Sequence, residues 1–132
     1  MKRILAFLAS DGAFLYEDYG CSIVQSEYVD SFGGTGSVTL CSDPIELRLW
    51  LERDRLFLDV RGIGRSQWFS MDIIYELLTG EVSKTGEMNE LNTECLRDHF
   101  DELRNKFVPA EVELTEKQCG KLERKRAKEL FG

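Results

Sequence analysis

Ile45-Glu46-Leu47-Arg48-Leu49-Trp50-Leu51-Glu52-Arg53-Asp54-Arg55-Leu56-Phe57-Leu58-Asp59-Val60 is the stretch on which the reading of this chain turns. Ile45, Leu47, Leu49 and Leu51 alternate with Glu46, Arg48, Trp50 and Glu52, and a period of two is the signature of a half-buried strand. After the polar Arg53-Asp54-Arg55 the pattern resumes with Leu56, Leu58 and Val60, which predicts a β-hairpin. With Arg53 facing Leu56 across an Asp54-Arg55 turn, Leu51 faces Leu58 and Leu49 faces Val60. A slip by one residue would bring Asp59 to the core side, so the pattern selects one parity. The opposite face then carries Arg48, Trp50, Phe57, Asp59 and Arg61. Trp50 and Phe57 are the odd members there. They read either as rings lying under long arginines or a covering helix, or as aromatic anchors of a binding surface.

Upstream, Lys2 to about Tyr16 reads as a helix with Ile4, Leu5, Leu8, Phe14 and Leu15 inward and Gly12 weakening its middle. Asp11 and the shortness of the apolar run set it apart from a signal peptide. Cys21 to Val29, β-branched and aromatic, reads as a first strand. Ser31-Phe32-Gly33-Gly34-Thr35-Gly36 has the glycines of a phosphate loop, but the strand-like Ser37-Val38-Thr39-Leu40-Cys41 follows where a helix is needed, so a hairpin connection is expected. Ser42-Asp43-Pro44 is the next turn.

Downstream, Arg61 to Gln67 reads as a loop, with Trp68 or Phe69 stapled across a Ser70 cap. Ile73, Ile74, Leu77 and Leu78 form the inner face of a short helix ending at Gly80. Glu81–Leu91 is polar and is expected to be the most mobile connection. Asn92 or Thr93 then caps a helix carrying Leu96, Phe100, Leu103 and Phe107 inward, and Pro109 stops it. Thr115-Glu116-Lys117-Gln118 fits a capping box for a last helix running to about Leu130. Cys119, Leu122 and Leu130 are its expected inner side, and Lys117, Lys121, Arg124, Lys125, Arg126 and Lys128 its basic outer side. That side is solvated or docks on the acidic body. The expected fold is α+β in a single domain over 1–132: an N-terminal helix, a four-stranded antiparallel meander, then three helices packed mainly on one face of the sheet.

Net charge is -7 and uneven: residues 1–115 carry 11 basic and 21 acidic side chains, and residues 116–132 carry six and three. An acidic body disfavours nucleic acid as a ligand and suits a basic protein partner. Apolar runs fall far short of the roughly 18 residues a membrane span needs, so no membrane association is expected. Cys21, Cys41, Cys95 and Cys119 lack close pairing and read as four reduced thiols in a cytoplasmic protein, with no metal site implied.

Motifs for chemistry are sparse. The single histidine, His99, stands four residues after Cys95 on the same helix face, so a Cys95/His99 pair is the one nucleophile–base constellation available. Otherwise hydrolysis would need dispersed carboxylates. Glu94, Asp98, Asp101 and Glu102 form an acidic stripe at i, i+4, i+7 and i+8, open to the basic last helix or to a partner.

Several local runs carry a resemblance. They are Tyr19-Gly20-Cys21 leading into a strand, Ser31-Phe32-Gly33-Gly34, Leu56-Phe57-Leu58-Asp59-Val60, Trp68-Phe69-Ser70 before a leucine-rich helix, Thr79-Gly80-Glu81, and the closing Arg126-Ala127-Lys128-Glu129-Leu130-Phe131-Gly132. Together these resemble a group of small, uncharacterised bacterial α+β proteins. In size, charge and architecture the chain is also similar to immunity proteins of bacterial toxin systems, including contact-dependent growth inhibition. That likeness implies a non-enzymatic, cofactor-free binder that occludes the active surface of a basic toxin. Trp50, Asp59, Trp68, Glu94, Asp98, Asp101 and Glu102 are the contact residues expected on the residue reading. The alternative is a small hydrolase-type enzyme, and a homo-oligomer stays open.

Overall fold

The computed structural model describes residues 1–29 and 35–131, so the Ser31–Gly34 part of the glycine-rich run lies outside the described residues. The hairpin forms from β3 (Ile45–Glu52) and β4 (Arg55–Gly62). Its register differs from the expected one by two residues: Leu51 pairs with Leu56, Leu49 with Leu58 and Leu47 with Val60. The reason is the turn. Arg53 and Asp54 both take positive φ, 50° and 62°, making a two-residue connection closed by Glu52 and Arg55. Turns of this hand match the right-handed twist of the flanking strands. A two-residue shift preserves parity, so every side chain keeps its predicted face. Leu47, Leu49, Leu58 and Val60 are fully buried, each contributing roughly 1.5–3 kcal/mol of burial.

Before the hairpin stand β1 (Ser22–Val29) and β2 (Thr35–Ser42). The meander gains a fifth strand, β5 (Phe69–Ser70), which pairs with β4 through Asp59–Ser70 and Val60–Phe69, giving the order β1-β2-β3-β4-β5, all antiparallel. The sequence pattern predicts a staple by Trp68 or Phe69. Phe69 is instead a fully buried strand residue.

The N-terminal segment divides into α1 (Lys2–Ala9) and α2 (Phe14–Glu17). The single helix expected to Tyr16 breaks because Gly12 donates its N–H to the Phe7 carbonyl at 2.8 Å and lets the Phe7 ring lie where a β-carbon would stand. Ile4, Phe7 and Leu8 are buried, whereas Leu5 is exposed.

After β5, α3 (Met71–Thr79) ends on Gly80 at φ 79°, as the glycine predicts. Ser70 occupies the N-cap position, but its hydroxyl makes no capping bond. The helix expected from Asn92 to Phe107 is two, α4 (Glu90–Asp98) and α5 (Phe100–Lys106), divided at His99. Asn89 is the cap, its side chain accepting from the Asn92 N–H.

Asn92 is fully buried and fastens the 81–91 connector instead. Its Nδ2 donates to the Thr85 and Glu87 carbonyls at 2.9 and 2.7 Å, and its Oδ1 accepts from the Ser83 hydroxyl at 3.1 Å. The connector also adds to the sheet margin through a Phe57–Glu87 bridge and a Met88 N–H to Leu56 carbonyl bond.

The last helix, α6 (Val112–Phe131), starts three residues before the expected capping box, and Thr115 lies inside it, donating its hydroxyl to the Lys106 carbonyl. Cys119 is buried and Leu122 packs partly on the core, but Leu130 is exposed. The basic side of α6 docks on α3. Arg126 bonds Asp72 and Glu76, and Lys125 bonds Glu76. Leu96, Phe100, Leu103 and Phe107 join the sheet's apolar face in one core. No helix among the described residues is long and apolar enough to cross a membrane.

Candidate functional site: the polar face of the sheet

Pairing of β3 with β4 stacks three cross-strand rows on the face away from the core. Glu46 stands opposite Arg61, Arg48 opposite Asp59, and Trp50 opposite Phe57. The first two rows are ion pairs, Arg61 Nε to Glu46 Oε1 at 3.0 Å and Arg48 Nη2 to Asp59 Oδ2 at 2.8 Å. In the third, the rings stack with centroids 4.6 Å apart. Alternation through β5 puts Phe69 in the core and swings Trp68 onto this polar face. There the Arg48 and Arg61 guanidiniums lie 4.5 and 4.4 Å from its ring centroid. Arg48 and Arg61 thus cover Trp68 rather than Trp50, while the Arg55 guanidinium lies 5.3 Å from the Phe57 ring centroid.

Asp59 is 8% exposed. Burial pushes its carboxyl above the usual carboxylate range, and nearby Asp72 adds to this. The Arg48 guanidinium and, to a smaller degree, the Trp50 indole oppose the rise. Trp50 Nε1 is itself buried with no regular hydrogen-bond partner among the described residues. Beside these groups runs a groove. A cavity of about 480 Å³ is lined by Glu27, Ser37, Arg48, Trp50 and Glu52, among others. A second, of about 230 Å³, shares Glu27, Ser37 and Arg48 with it and reaches Arg61 and Trp68.

Trp50, Asp59 and Trp68 are therefore brought together, with Arg48 touching Asp59 and Trp68 and lining the groove beside Trp50. Glu94, Asp98, Asp101 and Glu102 are not part of that group. They are exposed on α4 and α5, on the helices that cover the other face of the sheet. The break at His99 interrupts their stripe. Asp101 pairs with Arg104 at 2.6 Å, Glu102 with His99 at 3.0 Å, and Asp98 approaches Arg97 at 3.7 Å. Glu94 lines a separate cavity of about 290 Å³ with Asp11, Glu90 and Arg97. The basic last helix goes to Asp72 and Glu76, not to this stripe.

Arg48, Arg61, Glu27 and Glu52 belong to the polar-face site but were not among the expected contacts. Arg48 and Arg61 were legible from the same alternation that singled out Trp50. Glu27 required the β1–β2 register, which places it opposite Ser37.

The His99 ring nitrogen Nδ1 engages Glu102, and the Cys95 thiol is buried and pushed up to about 11, first by burial and then by Asp98 and Glu102. A thiol held there stays protonated near neutral pH. All four cysteines are free. No group of three or more His, Cys, Asp or Glu among the described residues is arranged to hold a metal ion.

Compared with protein-family models, with curated proteins and with solved structures, the chain gives no match in any of the three.

Proposed function

We propose that this protein works by binding another protein, in the manner of a cytoplasmic immunity protein that occludes the active surface of a cognate bacterial toxin. One observation carries the reading: two tryptophans and two arginines are gathered on an open sheet face, beside a groove. Tryptophan and arginine dominate the energetics of protein interfaces because they bury large areas while retaining polar contacts. The net charge of -7 supports a basic partner, since opposite charge accelerates encounter.

The test is to express each reading frame flanking the gene in a sensitive host, with and without this protein. A toxic neighbour that is rescued by and co-purifies with this protein is the expected result. In that pair, Trp50→Ala with Trp68→Ala weakens binding by more than about 2 kcal/mol, some thirtyfold in Kd, and raising the salt slows association. No toxic neighbour and no co-purifying protein would overturn the reading. Binding unchanged by the tryptophan pair would move the contact to the α4–α5 acids.

A second reading, a small hydrolase, has in its favour the buried Asp59 carboxyl paired with Arg48, a residue of the groove, because raised carboxyl pKa values gather at acid–base sites. Asp59→Asn abolishes turnover in that case.

A further inference from the structure

The two margins of the sheet are chemically unlike. On one side β4 is closed by β5 and by the Phe57–Glu87 bridge, and β5 itself is two residues long. On the other, β1 is eight residues long and pairs only with β2 among the described residues. Every side chain from Ser22 to Tyr28 is exposed, Ile23 at 59% and Val24 and Tyr28 at 53% each. Long edges are ordinarily protected by lysine, proline, a bulge or a covering segment. Ser22–Val29 contains neither lysine nor proline, and its one irregularity, at Val24, leaves Gln25 to Val29 in regular register.

We propose that β1 pairs antiparallel with β1 of a second copy of this chain, about a two-fold axis through Ser26 perpendicular to the sheet. The strand carries its own polar complement. Gln25 and Glu27 share the polar face, opposite Thr39 and Ser37, and Gln25 Nε2 donates to Glu27 Oε1 at 2.7 Å. An axis at Ser26 sets each Gln25 across from Glu27 of the other copy, so the same amide–carboxylate match forms between chains. An axis at Glu27 would oppose two carboxylates, and one at Gln25 would set Glu27 against Ile23. With the axis at Ser26, Tyr28 falls near Val24 of the second copy, apolar against apolar.

The pairing consumes both long edges and leaves only β5 at each end, so association closes at two. Because the axis is perpendicular to the sheet, both copies present the surface of Trp50, Trp68 and the arginines on the same side. This inference stands apart from the toxin reading and survives its failure.

Light scattering across a concentration series tests it. The wild-type mass rises from 15.2 kDa to twice that value. Ser26→Lys sets two lysines against each other on the axis and stays at the monomer mass, with a cooperative thermal melt that does not vary with concentration. An equimolar mixture of Ser26→Lys and Ser26→Glu recovers the doubled mass. Ser26→Glu alone, which repels itself in the same way, serves if the lysine variant fails to fold. A wild-type mass that never rises, a dimer indifferent to charge at Ser26, or a mixture that stays monomeric would each overturn the proposal.

Discussion

Arg48 holds Asp59 in a place a carboxylate would otherwise avoid. Removing the guanidinium leaves a buried charge without its main partner, a situation that costs more than the bond itself contributes. Arg48→Met should destabilise the fold by about 2–3 kcal/mol at neutral pH, read from urea denaturation. The sign of the pH effect follows from burial. Folding raises the Asp59 pKa, so this group's stabilising contribution is full below its unfolded pKa and is lost as pH rises through the folded value. The stability of wild type relative to Asp59→Asn should therefore fall as pH rises through and above the ordinary aspartate range. A difference that rises with pH would show the Arg48 pair outweighing burial. At this scale the sequence was half legible. Period-two alternation placed Arg48, Trp50 and Asp59 on one face, because parity is a property of the strand alone. It did not disclose Trp68 over Arg48 and Arg61, because that contact depends on where β5 returns.

Elements were legible where one local signal sufficed, and misread where two signals competed. Gly80 ended α3 as predicted, since a left-handed residue there meets no steric penalty. The hairpin turn was misplaced because Arg53 and Asp54 carry no glycine to announce positive φ. Asparagine and threonine favour helix ends, which makes Asn92 or Thr93 the expected cap, yet Asn92 is the post on which the 81–91 connector hangs. Asn92→Ala leaves the Thr85 and Glu87 carbonyls and the Ser83 hydroxyl without it, and should cost about 2–3 kcal/mol. Hydrogen exchange should show the loss of protection concentrated in residues 81–91. Protection lost evenly over the chain would mean that the connector and core open together.

At the scale of the whole molecule, the α+β layering followed from segregated strand and helix patterns, whereas charge asymmetry left the basic end of the chain either solvated or docked on acid, and the structure shows Arg126 and Lys125 docked. Which acid it sought was not readable. The candidates lay on α3 and on α4–α5, and only packing distinguishes them. The outcome has a consequence in time. β1 to β4 each pair with their neighbour in sequence, and β5 follows β4 closely, so the sheet assembles from local pairings that cost little loop entropy. The contacts of α6 with α3 span some fifty residues, Arg126 to Glu76 and Asp72 being 50 and 54 apart. Such contacts are expected to form after the rate-limiting step. Leu58→Ala should then slow refolding, whereas Arg126→Ala should leave refolding nearly unchanged and speed unfolding, by about thirtyfold for a loss of about 2 kcal/mol. Stopped-flow chevrons on the two variants separate these limbs, and an Arg126→Ala refolding rate reduced as much as that of Leu58→Ala would place α6 in the nucleus. The last helix would thus set how long the native state lasts, and the first hairpins how soon it is reached.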